Sequence, residues 1–144
     1  RNGDAVSPDF TNQGWREHLG YGDMPLLSLQ GAGRRIAVLT RRYQFSFFEH
    51  WPSDRHGHRG TLQEARAHLE RIDAVLGGLF AAWADQSGLL IITSDHGNIE
   101  AKDRRRHTAN PVPTILLGAA HAELAPQITD LTDIAPVVRT FLEL

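Results

Sequence analysis

The feature that most constrains the fold is a short, nearly continuous apolar run, Gly88-Leu-Leu-Ile-Ile-Thr93. Such a run is typical of a strand that is covered on both faces. A long helix is predicted directly before it, at Thr61–Asp85, because apolar residues recur there at helical spacing. Thr61 and Glu64 also match the pattern of a capping box. A periodic helix beside a buried strand predicts an α/β protein.

Further elements are predicted on both sides of this helix and strand. They are a short helix near Gly14–Gly20, strands at Arg35–Thr40, Tyr43–His50 and Pro113–Gly118, and a closing helix at Asp130–Leu144 that is capped by Asp130 or Thr132. The run at Arg35–Thr40 also fits a helix, since apolar runs this short are ambiguous. We expect a layered, largely parallel sheet with helices on both faces, in which Gly88–Thr93 is the central strand.

Composition excludes several classes of protein. The chain has 144 residues and no cysteine, so disulfides and thiolate metal sites are excluded. Its net charge of −2 argues against nucleic-acid binding, which usually requires a clearly basic chain. No apolar run approaches the roughly 20 residues that span a bilayer. No signal peptide opens the chain, and a cytoplasmic protein without membrane partners is expected.

Three polar clusters carry the candidate chemistry, and each adjoins a predicted strand. Ser53–His58 follows the aromatic strand, Thr93–Asn98 follows the apolar run, and His107–Pro113 precedes the next strand. Binding sites in open α/β sheets gather at the carboxyl ends of strands, so the clusters are expected to converge at one end of the sheet. His50 and His68 lie outside the clusters and are interpreted as surface or helix-face residues.

The clusters contain residue types that bind divalent metals. Asp54 and His58 are four residues apart, which places both on one face of a helical turn. Asp95 and His96 stand where a buried strand meets a loop, and His107 is followed by a loop that two prolines stiffen. Each pattern alone also fits an ordinary polar loop. Together, their oxygen and nitrogen donors favour zinc or manganese over calcium and suggest two metal ions.

These strings together resemble the alkaline phosphatase superfamily, and within it the cofactor-independent phosphoglycerate mutases. The matching strings are Asp54-Arg-His-Gly-His58, Thr93-Ser-Asp-His-Gly-Asn-Ile-Glu100, His107-Thr-Ala-Asn-Pro-Val-Pro113 and Leu131-Thr-Asp-Ile-Ala-Pro136, in the order and approximate spacing of the family. The resemblance covers about residues 45–144. It implies that Asp54, His58 and His107 bind one metal, and that Asp95 and His96 are two ligands of the other.

The resemblance also implies parts that this sequence does not contain. In that family the second metal takes an Asp and a nucleophilic Ser or Thr from near the N-terminus, and neither motif is found here. The catalytic nucleophile is therefore expected upstream of Arg1, in a missing N-terminal half of the same domain. Residues 1–40 are expected to be a connecting or cap-derived segment, and residues 41–144 the C-terminal half of a metal-dependent phosphoryl-transfer domain. The short stretch before Asp54 leaves no room for the mutases' inserted domain, which favours a smaller hydrolase or an uncharacterised relative.

The expected function is two-metal-dependent phosphate-ester hydrolysis or phosphoryl transfer on a small phosphorylated substrate, with manganese or zinc. The isolated chain is expected to be inactive. Arg104, Arg105 and Arg106 are candidate substrate-binding residues, or else form a solvated loop face. Three alternatives stay open: a sulfatase or phosphodiesterase of the same superfamily, a non-catalytic metal-binding module, and an α/β domain without metal.

Overall fold

The computed structural model describes residues 4–83 and 87–144, and these form two compact units. The first unit contains residues 4–83 and 98–106. The second contains residues 87–97 and 107–144. The segment 98–106 therefore belongs with the helices that precede it.

The first unit is helical. Its helices are α1 (Gln13–His18), α2 (Leu29–Thr40), α3 (Pro52–Arg59) and α4 (Leu62–Ala82). The predicted capping box is confirmed at the start of α4: Thr61 Oγ1 accepts from the Glu64 N–H at 3.2 Å, and Glu64 Oε2 accepts from the Thr61 N–H at 2.7 Å. The long helix and the short helix near Gly14–Gly20 are both present as predicted, although Asp85 lies outside the described residues.

Helices α2 and α4 pack closely around a core that includes Phe10, Ala32 and Val75. Glycine permits this close approach on both helices. A Cβ at Gly33 would lie 1.9 Å from the carbonyl oxygen of Val75, and a Cβ at Gly78 would lie 2.2 Å from a backbone oxygen of α2. Any side chain at either position would therefore push the two backbones apart.

The strand predicted at Arg35–Thr40 is wrong, because this segment is the second half of α2. Apolar residues at Leu29, Ala32 and Ile36 fall at helical spacing and face the core of the first unit. The hydroxyl of Ser28 caps the helix by accepting a backbone N–H at 3.0 Å. The helical alternative for this run is therefore confirmed, and its six residues are too few to show the helical period by themselves.

The strand predicted at Tyr43–His50 is also wrong, since this segment contains no regular secondary structure. Its aromatic side chains are largely exposed, with Tyr43 at 64%, Phe45 at 57% and Phe47 at 79%. A strand needs a neighbour to satisfy its backbone hydrogen bonds, and no described strand pairs with this segment.

The second unit contains a two-stranded sheet and short helices. Its elements are β1 (Leu89–Thr93), β2 (Thr114–Gly118), α5 (His121–Leu124), 3₁₀ turns at Ala125–Gln127 and Leu131–Asp133, and α6 (Ile134–Phe141). Leu116, Leu124 and Val137 form its buried core, so β2, α5 and α6 pack together. In neither described stretch of the chain is a helix long and apolar enough to cross a membrane.

The protein is α/β, and both apolar runs are strands as predicted, but they do not pair in parallel. β1 and β2 are antiparallel, with Leu89 opposite Gly118 and Thr93 opposite Thr114. A parallel pair requires a crossover, usually a helix, and residues 94–113 contain none. Among the described residues β1 has one neighbour, so its predicted central position in a parallel sheet is not found.

Candidate metal centre

The first polar cluster lies on α3 in the first unit. Pro52 opens this helix, and Asp54 and His58 follow one turn apart. His58 Nε2 lies 3.3 Å from Asp54 Oδ1, which confirms that the four-residue spacing places both groups on one helical face. The His58 side chain is 32% exposed and the Asp54 side chain is 41% exposed, so an ion from solvent can reach both.

A hydrogen bond fixes which nitrogen His58 presents to Asp54. His58 Nδ1 lies 3.0 Å from the backbone carbonyl oxygen of Arg105. Because a carbonyl oxygen can only accept, Nδ1 carries the proton in this hydrogen bond. A neutral imidazole protonated at Nδ1 presents its Nε2 lone pair, and metal-binding histidines commonly donate their other N–H to a carbonyl in this way. The donor set on α3 therefore fits a divalent metal.

Asn98 orients the carboxylate of the same cluster. Its side chain is buried, and Nδ2 donates to both the backbone oxygen of Asp54, at 3.1 Å, and Asp54 Oδ1, at 2.5 Å. Gly57 makes room for this amide, since a Cβ there would lie 2.4 Å from Asn98 Cγ. We did not identify Asn98 as a site residue from the sequence, although it lies inside the second polar cluster.

Lys102 holds the end of α3. Its ammonium donates to the carbonyl oxygen of His56 at 2.6 Å and to that of Gly57 at 3.0 Å. Both carbonyls belong to the last turn of the helix, and that of His56 also accepts from the Gly60 N–H at 3.0 Å. The sequence offers no signal for this contact except that Lys102 is the chain's single lysine.

The second unit brings together the other candidate ligands. Beyond the end of β1, an isolated bridge joins Gly97 and Thr108, with the Thr108 N–H donating to the Gly97 oxygen at 2.8 Å. The rings of His96 and His107 stack, with centroids 3.5 Å apart. Asp95 Oδ2 lies 3.4 Å from His96 Nε2, and the Asp95 side chain is 81% exposed. Two imidazoles and a carboxylate therefore lie side by side in this unit.

The three consecutive arginines Arg104, Arg105 and Arg106 are exposed. The Arg104 guanidinium lies 3.3 Å from Asp103 Oδ2. Arg105 has a structural role through its backbone, because its carbonyl oxygen accepts from His58. Substrate binding by the three guanidinium groups stays a prediction.

A pair of histidines in the first unit was misread from the sequence. His68 is buried on the inner face of α4, and its Nε2 lies 3.0 Å from His50 Nε2. The His50 ring also stacks on Phe10, with centroids 4.3 Å apart. Burial lowers the pKa of each imidazole to about 4, and for His50 the neighbouring His68 adds to the effect. Both rings are therefore neutral at pH 7, and one donates to the other.

Comparison with known proteins identifies the family. The profile of the Metalloenzyme superfamily matches residues 29–144, which is most of the chain. The chain belongs to the metalloenzyme superfamily. This superfamily is alkaline phosphatase-like, which confirms the resemblance identified from the sequence motifs.

Curated relatives of this metalloenzyme chain are 2,3-bisphosphoglycerate-independent phosphoglycerate mutases. The mutase of Dinoroseobacter shibae is 34% identical over 117 residues, which cover 76% of this chain and 23% of the mutase. That of Acetivibrio thermocellus is 33% identical, over 73% of this chain and 22% of the mutase. That of Acaryochloris marina is 31% identical, over 85% of this chain and 26% of the mutase. The chain thus spans about a quarter of the length of these relatives. No solved structure matches it.

Proposed function

We propose that this chain supplies part of a two-metal centre for phosphate-ester hydrolysis or phosphoryl transfer. Asp54, His58 and His107 are proposed to bind one divalent ion, and Asp95 and His96 to bind the second. The observation that carries the proposal is the orientation of His58, whose Nδ1 is engaged by a carbonyl while its Nε2 faces Asp54 Oδ1 at 3.3 Å. Metal-binding histidines usually donate their other ring N–H to an acceptor in this way, which fixes the orientation of the imidazole.

The proposed ligands have distinct tasks. The carboxylates of Asp54 and Asp95 supply negative charge, and the imidazoles supply neutral nitrogen donors, a combination that suits manganese or zinc. Bound divalent ions would neutralise charge on the transferring phosphoryl group and stabilise both the attacking and the leaving oxygen. Arg104, Arg105 and Arg106 are proposed to attract the anionic substrate, since guanidinium groups match phosphate geometry.

Other parts of the centre are proposed to come from sequence outside this chain. They are the nucleophile, the remaining ligands of the second ion, and the further strands of a layered, largely parallel sheet. The proposal is supported by the fraction of the relatives that the chain covers, about a quarter. On this view residues 41–144 form the C-terminal half of the phosphoryl-transfer domain, with a small phosphorylated molecule as substrate.

Calorimetric titration of the chain with Mn²⁺ and with Zn²⁺ tests the proposal. One ion should bind clearly, because three protein ligands leave positions for water or substrate. The second should bind weakly or not at all, because Asp95 and His96 provide two ligands. His107→Ala should abolish the stronger binding, and Asp95→Ala should barely change it. His18→Ala, which removes an exposed histidine from α1, is the matched control and should bind like the wild type.

Two outcomes of this titration would contradict the ligand assignment. One is a pair of equally tight sites, and the other is tight binding that survives His107→Ala. Incubation of the metal-loaded chain with a generic phosphate ester should give no turnover, since the nucleophile is proposed to lie elsewhere. Robust turnover would place the nucleophile within residues 1–144.

A further inference from the structure

Three contacts tie residues 98–106 to helix α3, and we call these residues the clamp segment. The Asn98 amide binds Asp54, the Lys102 ammonium binds the last-turn carbonyls, and the Arg105 carbonyl accepts from His58. The contacts join residues that are 44 to 47 positions apart in sequence. The two proposed ligands on α3 are thus each held by a group from the clamp segment.

Lys102 is the charged anchor of the clamp segment. A helix carries partial negative charge at its C-terminus, where the last carbonyls lack partners, and a cation there is stabilising. The Lys102 Nζ lies within hydrogen-bond distance of two carbonyls of that last turn, those of His56 and Gly57, and the His56 carbonyl also accepts from the Gly60 N–H. An ammonium has three donors on a compact charge, so it can serve both oxygens at once. Methionine is of similar length but offers neither charge nor donor.

We propose that Lys102 is a positioning residue for the metal centre. By fixing the last turn of α3 against the clamp segment, it keeps the Arg105 carbonyl on His58 Nδ1 and so keeps Nε2 turned toward Asp54. This inference rests on the proposed function, in which His58 binds a metal through Nε2. The inference adds that the His58 imidazole already has this orientation in the metal-free chain.

The first test uses the metal-free chain. Long-range ¹H–¹⁵N spectra of the histidine rings should show His58 as the Nδ1–H form in the wild type at pH above 7. In Lys102→Met the same ring should shift toward a mixture of tautomers. Arg66→Met is the matched control, because Arg66 is a cation on the exposed face of α4, and its spectrum should match that of the wild type. An unchanged His58 signal in folded Lys102→Met would overturn the proposal.

The second test measures metal affinity. Loss of a group that orients a ligand typically weakens metal binding 10- to 100-fold, so Lys102→Met should raise the Kd for Mn²⁺ at least about 10-fold. Arg66→Met should leave the Kd unchanged. Equal affinities for all three proteins would also overturn the proposal. If the wild type binds no metal, the proposed function fails, whereas the metal-free spectra still decide whether Lys102 sets the His58 tautomer.

A folding control keeps these tests interpretable. Circular dichroism should show native helix content for Lys102→Met. If that variant does not fold, Lys102→Gln replaces it, since glutamine keeps one N–H donor and a polar tip. The expected result is then a smaller shift in the same direction, and no shift of either the tautomer or the Kd would overturn the proposal.

Discussion

Replacing Gly78 by alanine tests the packing of α2 against α4. The new Cβ would lie 2.2 Å from the oxygen of Gln30, and within 2.7 Å of two further backbone atoms of that residue. Backbone atoms cannot rotate away as a flexible side chain can. The helices would therefore have to separate by about 1 Å, which would loosen the core around Ala32 and Val75.

Overpacking of this kind typically costs about 1–3 kcal/mol. The higher helix propensity of alanine offsets about 1 kcal/mol of this cost. Gly77→Ala is the matched control, because a Cβ at Gly77 meets nothing within 4 Å. Gly77→Ala should therefore gain stability by roughly 0.5–1 kcal/mol, whereas Gly78→Ala should lose up to about 2 kcal/mol.

Urea denaturation followed by circular dichroism measures both variants against the wild type. We expect their midpoints to move in opposite directions. If Gly78→Ala were as stable as Gly77→Ala, the two helix backbones could not approach each other as closely as the structure shows, and the reasoning would be refuted.

Two further predictions concern the first unit. The folded pKa values of His50 and His68 lie at about 4, below the 6.5 of an ordinary histidine, so the unfolded chain binds more protons between these values. The contribution of each histidine to stability should thus be complete above pH 6.5 and fall by up to about 3 kcal/mol toward pH 4. Urea titrations that show no greater loss of stability in the wild type than in His68→Gln would contradict this. Thr61→Ala should cost about 1 kcal/mol by removing the cap of α4, and an unchanged thermal midpoint would show that the cap does not contribute.

Local signals in the sequence predicted local structure well. Helix α4 was predictable because its cap and its apolar period both lie within the segment itself. The pairing of Asp54 with His58 was predictable for the same reason, since four residues make one helical turn. The two apolar strands were predictable as strands because of their composition, at Leu89–Thr93 and Thr114–Gly118.

Features that depend on distant partners were not predictable. The direction in which β1 pairs with β2 depends on the connection between them, which carries no crossover helix. Tyr43–His50 has strand-like composition, but no described strand lies beside it. Lys102 contacts carbonyls 45 and 46 positions away, and backbone acceptors leave no pattern in the sequence. The burial of His68 likewise depends on His50, which reaches it from another segment.

The central claim is that Asp54 and His58 bind a divalent metal. Crystals of the chain grown with Mn²⁺, with diffraction collected near the manganese absorption edge, test it most directly. We predict an anomalous peak at about 2.0–2.3 Å from both His58 Nε2 and Asp54 Oδ1, with His107 as the third protein ligand. A peak that touches neither residue of α3, or no peak under conditions where calorimetry shows binding, would contradict the account.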